Sequence, residues 1–329
     1  MRIWQHQSLQ FKFRLSVYGQ HARESRRLYR TALPPKNPNQ VNTSCTLPLF
    51  LKSLRWIAVS AAIACGSCYA LPLNSQHAIV ISDDTGQVLL EKDANTVVPI
   101  ASLTKLMTAM VLLDSKPNMR EMISIQESDV DVLKHSRSHV PLGTTLPRQE
   151  ILRLALMSSD NRAAASLART YPGGNAAFLL AVKNKIKALG MTNTVILEPT
   201  GLSPENTSTA ADLAKMAAAA SHYPSIADIT TDSSDQFKMK GRNVTFRNTN
   251  RLVGSPGWDV LLSKTGFTVE AGHCLIMRIE QAGRHATLVL LNAQANSSRI
   301  FDAISIRRLL SSTKAHAPKT RQSRRPQIR

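Results

Sequence analysis

Strand-like segments lie at both ends of the central part of this chain, and segments with helical spacing fill the middle. Residues 77–82 and 87–92 are β-rich runs around Asp-Asp-Thr-Gly, which predicts a hairpin. Residues 275–280 and 286–292 are apolar runs joined by a turn through Ala-Gly-Arg. Strands joined by tight turns pair antiparallel. We therefore predict an α+β fold, in which an antiparallel sheet built from both ends of the chain is flanked by helices and carries a helical insertion.

The segments between these hairpins have the spacing of helices. Apolar residues recur at intervals of three and four from Leu103 to Val111. Glycine at position 190 is a typical helix stop. The other predicted elements are a strand over 258–263 and helices over 149–157, 161–170, 176–189, 209–220 and 298–310, with a short break at 158–160.

Charge separates the two ends of the chain from its body. The 329 residues include 41 Lys and Arg and 22 Asp and Glu, a formal charge of +19. Residues 1–70 hold ten basic residues and one acidic residue, and residues 311–329 hold six basic residues and no acidic one. Residues 71–310 are nearly neutral, with 25 basic and 21 acidic residues. The body has no basic stripe with interleaved aromatics, which argues against nucleic-acid binding.

Composition divides the chain into four regions. Residues 1–49 are basic and rich in Pro, Asn and Gln, and we interpret them as an unstructured extension or an over-extended start. Residues 50–70 have the charged, apolar and small-residue order of a secretory signal peptide, with lipid modification at Cys65 or an uncleaved anchor as alternatives. Residues 71–310 form one predicted globular domain. Residues 311–329 are predicted to be a disordered basic tail, with weak contact to an anionic membrane surface as its functional interpretation.

Ser102 and Lys105 form the first candidate site, in the run Ser-Leu-Thr-Lys. Residues i and i+3 share a helix face, about 5–6 Å apart between Cβ atoms. Lys105 would accept the hydroxyl proton of Ser102 there, provided that apolar neighbours keep the amine uncharged. The first turn of a helix also offers free N–H groups to a developing oxyanion. A capping serine beside a solvated lysine is the alternative.

Ser159 and Asn161 belong to the second candidate site, Ser-Asp-Asn, between two predicted helices. Such a break can present two short polar side chains to a cleft. Helix capping is the alternative, because Ser, Asp and Asn all favour that position.

Lys264, Thr265 and Gly266 form the third candidate site, at the end of the strand predicted over 258–263. Glycine permits close approach of a ligand to a strand edge. Lysine and threonine offer a charge and a hydroxyl donor to a carboxylate. An ordinary turn at the end of a strand is the alternative.

The order of the three motifs is more specific than any one of them. S-x-x-K at a helix start, S-D-N between helices and K-T-G on a late strand are the signature of penicillin-recognising serine acyltransferases. Blocks such as PIASLTKLMTAMVLLD and KTGFTVEAGHCLIMR extend the match. Over residues 77–310 the chain resembles the low-molecular-mass penicillin-binding proteins, the serine D-alanyl-D-alanine peptidases of the S11 type, and among them the endopeptidases.

The resemblance implies the fold of that family and a covalent mechanism without a metal or another cofactor. Ser102 would attack the carbonyl of the penultimate D-Ala and form an acyl-enzyme, and Lys105 would accept its proton. Ser159 would pass a proton to the leaving amine. The N–H groups of Ser102 and Phe267 would form the oxyanion hole.

The resemblance also implies how substrates bind. Asn161 would bind a substrate amide, and Lys264 and Thr265, followed by Gly266, would hold a carboxylate. The implied partners are peptidoglycan peptides, cross-linked between D-Ala and diaminopimelate, and β-lactams. We expect a monomeric enzyme of the periplasm.

Several alternatives stay open at this point. A D,D-carboxypeptidase uses the same chemistry on a free pentapeptide end, and an inactive penicillin-binding scaffold shares the motifs. A class A β-lactamase would need a glutamate base. Glu198 lies in a suitable range, but no Asn partner is evident beside it, and we interpret it as structural. A zinc peptidase is disfavoured because no HExxH occurs and because His135 and His139 lie in a polar segment.

Other reactive or apolar residues receive structural interpretations. We expect Arg247 and Arg251 to be solvated. His273 and Cys274 begin an apolar strand and are expected to pack. The methionines expected in the core are Met107, Met110 and Met157.

Overall fold

The computed structural model describes residues 71–312. The predicted extension and signal peptide, and all but two residues of the predicted basic tail, therefore lie outside the described residues. Between residues 71 and 312, no helix is long and apolar enough to cross a membrane.

Eleven strands and seven α-helices follow one another along this part of the chain, with short 3-10 turns at Ala101–Leu103 and Glu127–Asp129. The strands are β1 His77–Ser82, β2 Val88–Lys92, β3 Val98–Pro99, β4 Met122–Ser124, β5 Thr145–Pro147, β6 Thr207–Ser208, β7 Ser234–Met239, β8 Arg242–Arg247, β9 Asp259–Thr268, β10 Gly272–Gln281 and β11 Arg284–Ala293. The helices are α1 Thr104–Asp114, α2 Arg148–Met157, α3 Asn161–Arg169, α4 Gly174–Ala188, α5 Ala210–Ala220, α6 Pro224–Thr231 and α7 Asn296–Ser312.

The main sheet joins the two ends of the described chain. Its five antiparallel strands run in the order β2-β1-β11-β10-β9. Strand β1 pairs with β11 so that His77 lies opposite Leu291. The predicted α+β fold, with a sheet built from both ends of the chain, is confirmed. Strand β9 is at one edge, and this edge reaches the 3-10 turn that contains Ser102.

Both faces of the sheet are covered. Side chains of a strand alternate between faces, and Ile276 and Val289 pack with the helices of the insertion. Met277 and Leu288 face the other way and pack with Ile306 of α7. The three methionines predicted for the core, Met107, Met110 and Met157, are fully buried. The helical layer therefore lies against one face of the sheet, and α7 covers the other.

One strand end differs from its prediction. Strand β9 continues to Thr268 instead of ending before Lys264, because the pairing with β10 extends through Lys264, opposite Ile276, and Phe267, opposite His273. The apolar pattern ends at Lys264 because polar side chains replace apolar ones there, although Lys264 and Thr265 are buried. The third motif therefore lies inside an edge strand.

The sequence prediction missed helix α6 and the hairpin of β7 and β8. In that hairpin Phe237, Met239 and Phe246 are buried, whereas Lys238 and Arg247 are exposed. The pattern has the period of two expected for strands. It is interrupted by so many polar residues that the apolar face is short.

Candidate active site

Ser102 and Lys105 are in contact at the start of the first long helix. Ser102 lies in the 3-10 turn directly before α1, and Lys105 lies in the first turn of α1. The Lys105 Nζ donates to Ser102 Oγ over 2.8 Å. Ser102 is partly exposed, whereas Lys105 is 1% exposed. A hydroxyl that faces solvent thus has an amine buried behind it.

The surroundings of Lys105 favour a neutral amine. Its Nζ also donates to Asn161 Oδ1 over 2.8 Å and to the carbonyl oxygen of Thr200 over 2.7 Å. Burial lowers the pKa of Lys105 to about 8, although the charges of Glu198 and Asp160 act to raise it. At pH 7 about a tenth of the molecules would hold the uncharged form. Lys105 is therefore suited to accept a proton from Ser102.

The second motif lies in the break between α2 and α3. Ser159 has a φ of 60°, in the left-handed region. The Asp160 carboxylate caps α3 by accepting from the N–H of Ala163 over 3.0 Å, and it accepts from Ser138 Oγ over 2.7 Å. The capping alternative thus describes Asp160, while Ser159 and Asn161 line the cleft.

Asn161 is held between two polar neighbours. Its Oδ1 accepts from Lys105, and its Nδ2 donates to Ser136 Oγ over 2.8 Å. These two bonds fix which end of the amide faces the lysine. Asn161 therefore joins the first motif to the loop that contains Ser136.

Lys264 reaches the second motif from the sheet. Its Nζ donates to Ser159 Oγ over 2.9 Å and to the carbonyl oxygen of Thr265 over 3.0 Å. Lys264 is 1% exposed. Burial, with the charges of Lys105 and Arg299, holds its pKa well below the ordinary value. The hydroxyl groups of Thr265 and Thr249 lie 2.6 Å apart.

Two glycines let other parts of the backbone approach the nucleophile. A Cβ at Gly266 would lie 3.0 Å from the Ile100 carbonyl oxygen and 3.2 Å from the Ser102 nitrogen. A Cβ at Gly201, whose φ is +83°, would lie 1.9 Å from the Ala101 carbonyl oxygen. A side chain at Gly201 would collide with the backbone, whereas a Cβ at Gly266 would be tightly packed and its neighbours would have to move by a few tenths of an ångström. Strand β9 thereby comes close to the N–H of Ser102.

The three motifs meet in one cleft of about 420 Å³. Lys105 and Lys264 lie buried behind it. The residues that line the cleft are Ser102, Ser159, Asn161, Thr249, Arg251, Thr265, Gly266, Phe267, His273, Asn296 and Arg299.

From the sequence, we expected two arginines to be solvated and two residues of β10 to pack. Arg251 is exposed as expected, but it lines the cleft, whereas Arg247 is exposed on β8. His273 packs as predicted, with its ring stacked on Phe267 at a centroid distance of 4.3 Å, but the ring is partly exposed and also lines the cleft. Cys274 is buried as predicted, and burial raises the pKa of its thiol to about 11. The tight turn before β10 was the signal for His273, since it places that residue opposite the end of β9.

No sequence pattern identified Arg299 as a residue of the cleft. It lies in the first turns of α7 and is 7% exposed. Its Nη1 donates to the carbonyl oxygens of Cys274, over 2.6 Å, and of Gly266, over 3.4 Å. Only the tertiary fold brings this helix start to the sheet edge. The same holds for Thr249 and Asn296.

Glu198 organises a turn next to Lys105. Its carboxylate accepts from the N–H of Thr200 over 2.7 Å, from the N–H of Gly201, and from the Asn206 Nδ2 over 3.0 Å. As expected, the residues directly after Glu198 supply no Asn partner, but Asn206, eight residues further along the chain, donates to its carboxylate. The structural interpretation of Glu198 is confirmed. The turn presents the Thr200 carbonyl oxygen to Lys105.

Comparison with known proteins adds independent findings. The sequence model of the D-alanyl-D-alanine carboxypeptidases, family Peptidase S11, matches residues 67–295. The D-alanyl-D-alanine endopeptidase of Pseudomonas aeruginosa is 43% identical over 274 residues, which are 83% of this chain and 88% of that protein. The D-alanyl-D-alanine endopeptidase of Escherichia coli is 41% identical over 252 residues, 76% of this chain and 81% of that protein.

Solved structures share the fold. The Streptomyces K15 DD-transpeptidase matches with a TM-score of 0.67 at 27% identity, covering 72% of this chain and 96% of that one. Penicillin-binding protein D2 from Listeria monocytogenes, in a cefotaxime-bound form, matches with a TM-score of 0.62 at 28% identity, covering 73% and 98%. The helices and the antiparallel sheet described above are therefore similar in arrangement to those of these two proteins.

Proposed function

The chain belongs to the peptidase S11 family of D-alanyl-D-alanine carboxypeptidases, and from this premise we propose that it is the endopeptidase that hydrolyses D-Ala–diaminopimelate cross-links of peptidoglycan. The observation that carries the proposal is the meeting of Ser102–Lys105, Ser159–Asn161 and Lys264–Thr265 in one cleft. It is a serine hydrolase that β-lactams acylate.

The first step forms an ester on Ser102. The neutral amine of Lys105, 2.8 Å from Ser102 Oγ, takes the hydroxyl proton as the oxygen attacks the carbonyl carbon of the D-Ala residue. The negative charge that develops on the carbonyl oxygen is stabilised by the N–H groups of Ser102 and Phe267. These groups belong to the turn before α1 and to β9, and Gly266 at their junction allows the two segments to approach each other closely.

The second step breaks the peptide bond. The Ser159 hydroxyl, which accepts a hydrogen bond from Lys264, lies at the cleft. It gives its proton to the leaving amine and takes up the proton that Lys105 accepted from Ser102, so that Lys105 becomes neutral again. The C–N bond breaks, the amine leaves neutral, and the D-Ala carbonyl stays on Ser102 as an ester. Water then hydrolyses this ester, which restores Ser102 and releases the free D-Ala carboxylate.

The two ends of the substrate meet different groups. Lys264 and Thr265 offer a charge and a hydroxyl to the carboxylate next to the leaving amine. Arg251 and Arg299 also line the cleft and add positive charge to it. Asn161 offers its side-chain amide to the acyl part. The arrangement suits a peptide with a carboxylate directly beyond the bond that is cut.

The choice of a cross-link over a free peptide end rests on the relatives. Two proteins more than 40% identical to this chain carry the name endopeptidase. The D-alanyl-D-alanine carboxypeptidase of Bacillus subtilis is more distant, at 30% identity, and keeps carboxypeptidase activity as the second candidate. The β-lactamase alternative has less support, because both carboxylate oxygens of Glu198 are engaged in the turn.

The enzyme would act on the cell wall from the periplasm. The predicted signal peptide and the substrate support this location, and we propose that the enzyme works as a monomer. Any contact of the basic tail with the membrane surface would be weak and would decline with salt.

Purified muropeptides test the proposal. Cross-linked dimers should disappear and yield monomers, and terminal D-Ala should remain on pentapeptide monomers. Fluorescent penicillin should label the wild type and not the Ser102→Ala variant, which also should leave dimers intact. Loss of D-Ala from monomers with intact dimers would establish the carboxypeptidase instead. A wild type that fluorescent penicillin does not label would identify an inactive scaffold.

A further inference from the structure

An ion pair joins a loop of the helical layer to the turn at the end of the strand that contains the third motif. Lys134 lies in the loop between the 3-10 turn Glu127–Asp129 and β5, and Glu270 lies in the turn between β9 and β10. The ammonium of Lys134 donates to the carboxylate of Glu270. The two side chains are 31% and 38% exposed. This contact links segments 136 residues apart.

The loop that contains Lys134 is fixed to the helical layer. The Asp131 carboxylate accepts from the N–H groups of Leu133, Lys134 and Ser136 over 2.8, 3.0 and 2.8 Å. Ser136 Oγ in turn accepts from Asn161 Nδ2. Lys134 is therefore presented by a turn that is bonded to the second motif.

Glu270 is fixed to the sheet. It follows Phe267 by three residues, in the turn that connects Thr268 to Gly272 across the pairing of β9 with β10. The N–H of Ala271 donates to Thr268 Oγ1 over 3.2 Å and holds this turn. Glu270 therefore extends from the end of the strand that contains the third motif.

The proposed function determines which end of the cleft the pair crosses. Lys264 and Thr265 hold the carboxylate of the leaving part, and the N–H of Phe267 binds the oxyanion. Among the described residues no strand pairs with the outer edge of β9, so an extended peptide can align with it. Its leaving part then lies at Thr265, and its acyl arm runs past Phe267 towards Glu270. The ion pair lies across the path of the acyl arm.

We propose that Lys134 and Glu270 form a strap over the acyl-arm end of the cleft and determine selectivity by the length of that arm. A stem peptide must open the strap before it can lie along β9. A compound without an acyl arm reaches Ser102 with the strap closed. Because an ion pair between partly exposed side chains is weak and is screened by salt, the strap acts as a modest filter and does not block the cleft.

Single variants test the strap with two acyl donors. Lys134→Gln and Glu270→Gln should raise kcat/KM for a cross-linked muropeptide dimer by about two- to fivefold, the range that an exposed ion pair allows. The rate of acylation by the penicillin nucleus, which has no acyl substituent on its amine, should stay the same. Raising the salt concentration from about 0.05 M to about 0.5 M should raise the ratio of these two rates in the wild type and not in the variants.

Two further proteins control for unrelated effects. The double exchange Lys134→Glu with Glu270→Lys restores an ion pair and should return the ratio towards that of the wild type. Asp114→Asn breaks the similarly exposed pair of Lys185 with Asp114, at the far end of α1, and should leave the ratio unchanged.

The possible outcomes separate this inference from the proposed function. If the single variants leave the ratio unchanged, or change both rates alike, the strap proposal is wrong. If the wild type removes only terminal D-Ala from pentapeptides, the endopeptidase assignment is wrong. The strap is then measured on that pentapeptide, because it has the same acyl arm.

Discussion

The cleft contains two lysine–serine pairs that are alike in geometry and differ in how the chain builds them. Lys105 Nζ lies 2.8 Å from Ser102 Oγ, and Lys264 Nζ lies 2.9 Å from Ser159 Oγ. Both lysines are 1% exposed, and burial lowers the pKa of each. The first pair spans three residues at one helix start, whereas the second spans 105 residues and joins the sheet to the helical layer. Local helix geometry is therefore enough to place Lys105 beside Ser102. Lys264 reaches Ser159 only when the sheet packs against the helical layer.

The largest expected effect is the loss of acylation rate on replacing Lys105, the lysine of the first pair. Lys105→Gln keeps a donor for Ser102 Oγ but cannot accept its proton, so acylation by fluorescent penicillin should slow about 10²- to 10⁴-fold. Stopped-flow labelling measures the rate, and circular dichroism checks that the variant is folded. A loss of less than about tenfold would show that Lys105 is not the base.

Replacing Lys264, the lysine of the second pair, should lower acylation efficiency less than replacing Lys105, and it should do so by weakening substrate binding. Lys264→Gln removes a charged donor to the substrate carboxylate, which is worth about 10- to 100-fold in acylation efficiency. The loss should appear mainly in the affinity of the first, non-covalent complex. A β-lactam methyl ester, which lacks that carboxylate, serves as the control and should react equally with the variant and the wild type. An equal loss for the ester would assign Lys264 to proton transfer.

The dependence of the acylation rate on pH should follow the protonation of Lys105 in the first pair. The Lys105 pKa of about 8 means that its neutral form increases as pH rises. The acylation rate should therefore rise about tenfold between pH 7 and a plateau above pH 8. Rates measured from pH 6 to 9 on the wild type test this sign. A rate that is flat below pH 8 would contradict the assignment of Lys105 as the base.

The smallest effect is expected from replacing Asp160, which caps the helix that follows Ser159 of the second pair. Asp160→Ala removes the cap of α3 and the acceptor of Ser138, and should lower the free energy of unfolding by about 1–2 kcal/mol. Because Ser159 precedes this cap, acylation should fall severalfold through weaker binding. Asp160→Asn retains a capping oxygen and serves as the matched control. Denaturant midpoints measure the stability change, and equal midpoints for the two variants would contradict the role of the cap.

The same contrast explains what the sequence could predict. The sheet followed from tight turns at both ends, and the Ser102–Lys105 contact followed from helix periodicity, because both depend on residues close in the chain. The Lys264–Ser159 bond did not follow, since no local rule relates residues 105 positions apart. Arg299 and Thr249 were missed for the same reason. The end of β9 was misplaced because buried polar residues of the cleft interrupt its apolar pattern.

The lack of space around Gly201 determines which amino acids that position can accept. Any side chain there would collide with the Ala101 carbonyl oxygen beside the nucleophile, and the left-handed backbone already disfavours one. If codons 201 and 205 are randomised and the library is selected for penicillin labelling, position 201 should return glycine alone. The exposed position of Glu205 should accept many amino acids. A residue with no chemistry of its own would thus be as intolerant of substitution as the serine it adjoins.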